Sequence, residues 1–314
     1  MTAEKAPLDP IIAEMERKWR DSGIPGIYVG GDGPVSRERA SNIRALLYPK
    51  PKLPAGHIER SNIPGPNGPI TVEIVRPLEG GPIGTLVYYH GGGYIIGDID
   101  SHQAHAIRFA NSARVVVMSV DYRLAPEHPF PHGVDDAISA AQWAAKNLDR
   151  LGGTGKPLAV GGDSAGGNFA AVTAIVCRDA GIKLGAQVLI YAVTNMANDN
   201  NPDIRKAYFG DGYEKNCRGL KASPVLARLD GVAPAIMGVG SHDFLHRDNL
   251  AYATALRAAK VPLVFREFPT LNHGFFSYTA ISPVCEVAAE LLCKDLRELL
   301  TKVPPTHSWH SSSA

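Results

Sequence analysis

The chain carries no excess of charge. Its 32 Lys and Arg face 31 Asp and Glu, a formal charge of +1. The uncompensated basic surface on which phosphate binding rests is therefore missing, and nucleic acid is not an expected partner. No run approaches eighteen consecutive apolar residues, so no membrane-spanning helix is expected. Cysteine is scarce: Cys177, Cys217, Cys285 and Cys293 are the four in 314 residues, with no C-x-x-C spacing. That is too few for a disulfide scaffold, and buried free thiols in a reducing compartment are expected. Met1 to Gly23 is charged throughout and lacks the apolar stretch of a signal peptide, which points to the cytoplasm. With 45% hydrophobic and 20% charged residues, disorder and fibrous repeats are excluded. The length suits one large domain or two modest ones.

Along the chain, residues 1–54 read as N-terminal helices without a strand. Ile11, Ile12, Met15 and Trp19 form one helical stripe, and Ile43, Leu46 and Leu47 a second. Glycine and proline between Ser22 and Pro34 separate them. From residue 55 to 302 short apolar runs alternate with helical stretches. His57–Ile63 and Ile70–Arg76 flank Pro66-Asn67-Gly68, where Asn-Gly predicts a tight hairpin turn. The runs Thr85–Tyr89, Val115–Val120, Leu158–Gly161, Gln187–Tyr191, Ala235–Val239 and Leu263–Phe268 suit strands buried on both faces. Strand and helix repeated this often predict an open α/β sheet with right-handed crossovers. Residues 195–223, rich in Asn, Asp and Gly, read as an insertion above the carboxyl ends of the strands. The tail, 303–314, is expected to be flexible.

Gly162-Asp163-Ser164-Ala165-Gly166 is a G-x-S-x-G set between a strand run and a helix. A strained strand-to-helix turn there lifts a serine hydroxyl clear of the sheet, and the flanking glycines let the backbone fold that tightly. The bland alternative is a glycine-rich turn with an N-capping serine. A second motif, His90-Gly91-Gly92-Gly93, follows another strand upstream. A loop without side chains presents the backbone N–H donors that an oxyanion needs. A nucleophilic Ser164 requires a histidine base and a carboxylate to orient it, in the chain order Ser, acid, His. Of the later histidines, His307 and His310 lie in the tail, and His242 adjoins Asp243 too closely to fold back on it. His273 follows Leu263–Phe268, at the carboxyl end of a strand, and Asp243 follows Ala235–Val239 at the same edge. Asp248 competes for the acid's place, but it opens a helix, where capping alone accounts for an Asp.

His90-Gly-Gly-Gly-Tyr94, Asp121-Tyr-Arg-Leu-Ala-Pro-Glu-His-Pro-Phe-Pro131, Gly162-Asp-Ser-Ala-Gly-Gly-Asn168, Asp243-Phe-Leu with Arg247-Asp248, and His273-Gly274-Phe275 together resemble the hormone-sensitive-lipase-like (bacterial family IV type) esterases of the α/β-hydrolase superfamily. The family usually has Pro where Phe244 stands. The resemblance covers roughly residues 55–300. It implies an α/β-hydrolase fold, a mostly parallel sheet flanked by helices, with a helical cap from the N-terminus plus the insertion. It implies Ser164, Asp243 and His273 as a triad, and the N–H groups of Gly92, Gly93 and Ala165 as an oxyanion hole. It further implies hydrolysis of small carboxylic esters with short acyl chains, no cofactor, and often a homodimer.

Tyr94, Ile95, Phe275 and Phe276 stand near this chemistry, either lining an acyl or alcohol pocket or belonging to the core. The Asp, Arg and Glu of Asp121–Pro131 read as a buried network bracing the serine turn. His102 and His105, three apart on a helix, have the spacing of zinc ligands but no evident third or fourth, and His242 with His246 is no better supported. No metal is expected. Gly152-Gly-Thr-Gly-Lys156 is followed by Pro157, not Ser or Thr, so it is a loop rather than a phosphate cradle. A receptor of the same fold would be expected to lack a triad member. An amidase would not differ in these residues.

Overall fold

A computed structural model describes residues 5–199 and 201–302. The expected tail, with His307 and His310, lies outside the described residues. Helix α1 (Pro10–Asp21) starts where the Asp9 carboxylate accepts hydrogen bonds from the Ile11 and Ile12 N–H groups at 3.0 and 3.1 Å. Helix α2 (Gly33–Leu47) starts at Asp32, which accepts from the Val35 N–H at 2.9 Å. The two stripes are only partly used. Ile12, Met15 and Ile43 are buried, whereas Ile11 and Leu46 face solvent.

Strands and helices then alternate. In chain order they are β1 (Ile58–Ile63), β2 (Ile70–Val75), β3 (Gly84–Tyr89), α3 (Ile99–Ser112), β4 (Val115–Asp121), α4 (His132–Lys146), β5 (Leu158–Asp163), α5 (Ala165–Asp179) and β6 (Ala186–Ile190). Two short helices, α6 (Pro202–Phe209) and α7 (Tyr213–Asn216), occupy the segment 195–223. Next come β7 (Ala235–Gly240), α8 (His246–Ala258), β8 (Leu263–Phe268) and α9 (Pro283–Lys302). All eight strands join one sheet in the order β1-β2-β4-β3-β5-β6-β7-β8. β2 runs antiparallel to both neighbours, and the remaining pairs are parallel. The expected tight hairpin turn is not formed. Residues 64–69 make a wider loop between β1 and β2, and only Gly68, not Asn67, has a positive φ.

Period-two alternation divides the apolar strands between two cores. Leu86, Tyr88, Val115 and Val117 face α3 and α9, while Val87, Tyr89, Val116, Met118 and Val120 face α4 and α5. Because β3, β5, β6, β7 and β8 are parallel, the loops after their carboxyl ends open along one edge. The N-terminal segment leans on that edge: the Gly30 N–H donates to Asp203 of α6 at 2.9 Å, and Asn272 donates to Glu16 of α1 at 2.7 Å.

The segment 121–131 does not form the expected buried brace. Asp121 is exposed, and Glu127 pairs with Arg37 of α2 at the surface. Arg123 instead donates to Asp136 of α4 at 2.6 and 2.8 Å and to the Asn67 carbonyl at 2.6 Å. Asp121 reaches water, Glu127 reaches α2, and Arg123 turns inward to α4, so none of the three bonds the serine turn. Asp136 is fully buried and also accepts from the Arg123 N–H at 3.1 Å. Removing one partner of such a pair leaves the other charge uncompensated. Asp136→Ala is therefore expected to cost about 3–5 kcal/mol of stability, read from urea unfolding. A loss under about 1 kcal/mol would show that water solvates Arg123 without it.

Candidate active site

Strand β5 ends at Asp163, and the next residue turns sharply into α5. Ser164 sits at φ 53° and ψ −117°, a strained conformation for a residue with a side chain. The strain is held by backbone bonds on both sides. The Ser164 N–H donates to the Ile190 carbonyl at 2.8 Å, and the Ser164 carbonyl accepts from Asn168 and Val193, both at 3.1 Å. Gly166 is required by close approach, since a Cβ there would lie 2.0 Å from the Tyr89 carbonyl oxygen.

The chain brings His273 and Asp243 to this serine. His273 Nε2 lies 3.0 Å from Ser164 Oγ, and its Nδ1 lies 2.9 and 3.0 Å from the two Asp243 oxygens. The Asp243 side chain is wholly buried, and one oxygen also accepts from the Leu245 N–H at 2.7 Å. Asp248 lies in the first turn of α8 but does not cap it as expected. The helix starts at His246, and no side chain caps it.

The loop after β3 supplies free donors. Gly92 and Gly93 adopt φ values of 126° and 59°, which frees this loop from strand geometry. Among the described residues, the N–H groups of Gly92, Gly93 and Ala165 donate to no protein acceptor. The Ala165 N–H also opens α5, where the helix dipole favours negative charge. This loop is fixed from below. Asp163 accepts from the Gly91 N–H at 2.9 Å and the Tyr88 hydroxyl at 2.8 Å. The Tyr122 hydroxyl donates to the His90 carbonyl at 2.6 Å, and its ring stacks on His90 at 4.2 Å.

Beneath the loop lie His90, His102 and His105. His102 Nε2 and His105 Nδ1 stand 3.8 and 3.9 Å from the Asp163 oxygens, and the three residues offer ligand atoms within 4.8 Å of one another. Asp163 is thus the third candidate ligand that the sequence did not reveal. The separations exceed the edge of about 3.3 Å in a tetrahedron of zinc bonds. Its carboxylate is also committed to Gly91 and Tyr88, so the arrangement reads as a hydrogen-bonded support. His242 and His246 turn to different partners, the Ala6 carbonyl at 2.8 Å and Glu267 at 3.0 Å.

The expected pocket residues pack inward instead. Tyr94, Ile95, Phe275 and Phe276 are buried to 1% exposure or less. Tyr94, at φ 68°, turns its ring onto Tyr208 of α6, with centroids 3.9 Å apart. Phe275 packs against Tyr191 and Phe268. Phe276 stacks on Phe109 and touches a small cleft with Arg44, Tyr48 and His105, which none of the triad candidates lines. The backbone turns after Gly93 and Gly274 aim these side chains into the core, which residue type alone could not reveal. Sequence reasoning also missed Tyr28, whose hydroxyl would lie 2.7 Å from a Cβ on Gly93. Nothing in its glycine-rich segment signals that placement.

The sheet, the strained serine turn and the glycine loop define an α/β-hydrolase. Residues 86–277 match the α/β-hydrolase fold family, and the chain belongs to it, as the hormone-sensitive-lipase-like motifs implied. The chain is similar to the carboxylic ester hydrolase LipN of Mycobacterium tuberculosis, 34% identical with 94% of this chain and 84% of the relative covered. It is also similar to the carboxylesterase NlhH of the same species, at 33% with 91% and 94% covered. Among solved structures, an esterase of Pyrobaculum calidifontis superposes with a TM-score of 0.82 at 32% identity, over 93% of this chain and 99% of that one. An α/β-hydrolase enzyme from the metagenome of Lake Arreo gives 0.85 at 30%, over 93% and 98%.

Burial makes the histidine support acid-sensitive. Desolvation, then neighbouring His102, lowers the His90 pKa to about 4, and desolvation, then Arg44, lowers that of His102 to about 3. An unfolded chain takes up these protons near 6.5, whereas the folded one refuses them until about pH 4 and 3. Stability from these groups is therefore full above about pH 6.5 and is lost as pH falls toward 4, by about 1.4 kcal/mol per unit for each histidine. Asp163, raised chiefly by burial, acts in the opposite sense only at the acid end. Urea midpoints measured from pH 7.5 to 4.5 should fall, and less steeply in His90→Asn. A flat profile would contradict the burial of neutral histidines.

Proposed function

We propose that the protein is a carboxylic ester hydrolase acting on small-molecule esters of short to medium acyl chain through an acyl-enzyme. The observation that carries this reading is the hydrogen-bonded line from Ser164 through His273 to Asp243, with 3.0 Å at one end and 2.9 Å at the other. The esterase names of similar proteins support it. His273 Nε2 accepts the Ser164 proton as Oγ attacks the ester carbonyl, and Asp243 accepts from Nδ1–H. That bond selects the tautomer with a free Nε2 lone pair and stabilises the imidazolium. Negative charge on the carbonyl oxygen falls to the Gly92, Gly93 and Ala165 N–H groups, which have no other partner to give up. His273 then protonates the departing alcohol. A water deprotonated by the same imidazole releases the acid. The chain supplies every group this needs, so the reading calls for no cofactor.

The N-terminal helices (1–54) and the insertion (195–223) serve as a cap in this reading. The Tyr28 hydroxyl against Gly93 and the bond from Gly30 to Asp203 support that role. A homodimer in the cytoplasm is the proposed setting. All four cysteines are buried free thiols, and burial pushes Cys177 and Cys285 up to about 12, as suits a reducing compartment.

Ser164→Ala should lower kcat by roughly a millionfold with little change in melting temperature. An organophosphate should label the wild type once per chain and this variant not at all. Asp243→Asn should lower kcat roughly ten-thousandfold through the wrong tautomer, while Asp248→Asn keeps most activity. Labelled Ser164→Ala, or a dead Asp248→Asn beside an active Asp243→Asn, would defeat the assignment. p-Nitrophenyl esters of rising chain length, with one anilide, define the acyl range.

A further inference from the structure

Phe244 is a large aromatic side chain left 77% exposed between the buried Asp243 and the half-buried Leu245. The resembling family usually has proline at this position. A lone exposed phenylalanine needs no explanation in itself, but this one is not free. Its ring centroid lies 4.4 Å from that of His273, with the planes inclined at 37°. The same turn that aims Asp243 at Nδ1, closed by the Leu245 N–H at 2.7 Å, places the Phe244 ring on the imidazole. A second ring, the buried Tyr191, lies 4.8 Å away. The imidazole itself is 22% exposed, so without Phe244 more of it would meet water.

We propose that Phe244 is a positioning residue, whose aromatic face rests on His273, holds the ring in line with Ser164 and Asp243, and favours the imidazolium formed when the serine proton moves. This rests on the hydrolase reading above. An aromatic ring within about 6 Å of a cation attracts it through its negative face. The neutral imidazole gains little from that face, so the attraction grows as the proton arrives and acts on the transition state more than on bound substrate. A proline at this position would pack against the imidazole without presenting a π face. Phe244 thus supports both steps in which His273 carries charge, acylation and deacylation.

The test compares Phe244→Ala, Phe244→Leu, Phe244→Pro, Phe244→Tyr and Phe244→Trp on p-nitrophenyl acetate and butyrate. Each variant is checked by circular dichroism and thermal melting. Phe244→Ala, Phe244→Leu and Phe244→Pro should lose about three- to fivefold in kcat with KM changed less than about twofold, and should react with an organophosphate more slowly by a similar factor. Phe244→Tyr and Phe244→Trp should restore kcat. Phe244→Leu keeps an apolar cover, so wild-type kcat in that variant overturns the role of the aromatic face. A change confined to KM makes Phe244 a substrate contact and also overturns the proposal, as does an unchanged Phe244→Ala. Wild-type protein that neither hydrolyses esters nor takes the organophosphate at Ser164 would sink the hydrolase reading instead. Active, labelled wild type with an indifferent Phe244→Ala sinks this inference alone.

Discussion

One carboxylate joins the two halves of the candidate site. Asp163 ends β5 one residue before the serine, and it accepts from the Gly91 N–H that begins the glycine loop after β3. The two strands are neighbours in the sheet, so their parallel pairing brings the loops together and Asp163 fixes the gap. The Tyr88 hydroxyl and the approach of Gly166 to the Tyr89 carbonyl leave little freedom below. The glycine loop that carries Gly92 and Gly93 is thereby fixed to the end of β5, one residue before Ser164. Preorganised donors of this kind cost no rearrangement when charge develops.

The price is a buried polar cluster. A carboxylate in such a place is desolvated, and the three histidines under it are forced to remain neutral. Their hydrogen-bond needs are met only in part: His90 Nε2 has no partner among the described residues. Polar groups in a low-dielectric setting bind strongly when satisfied and cost free energy when not. The support of the glycine loop and the protein's sensitivity to acid therefore come from the same residues.

The order of strand and helix, the serine turn, the glycine loop and the pairing of Asp243 with His273 were all legible in the sequence. Each rests on local constraints such as glycine spacing, a strand's end or chain order. What was not legible depended on side-chain direction. Tyr94 and Phe275 have the composition of a pocket lining, but left-handed backbone at Tyr94 and at Gly274 turns the segments inward. Asp163 looked like an ordinary motif position until the fold placed α3 beside it. The Arg123 pair with Asp136 joins residues thirteen apart that only the packing of α4 brings together. Asn-Gly at 67–68 carried the signature of a tight turn, but β1 and β2 stop pairing at Ile63 and Ile70 and leave the pair inside a longer loop.

The bond between Glu16 of α1 and Asn272, beside His273, spans 256 residues of chain. Asp9, just before that helix, likewise donates its N–H to the Thr270 carbonyl at 2.8 Å. During synthesis from the amino end, α1 emerges early and its partner late, after β8 has been made. The helix must wait, its buried face uncovered, while the sheet is assembled strand by strand. A nascent chain thus carries its serine turn long before it carries His273, and among the strands and α-helices only α9 follows the contact that secures the His273 loop. On the proposed roles, a chain cut short before residue 273 would carry Ser164 without the imidazole that takes its proton.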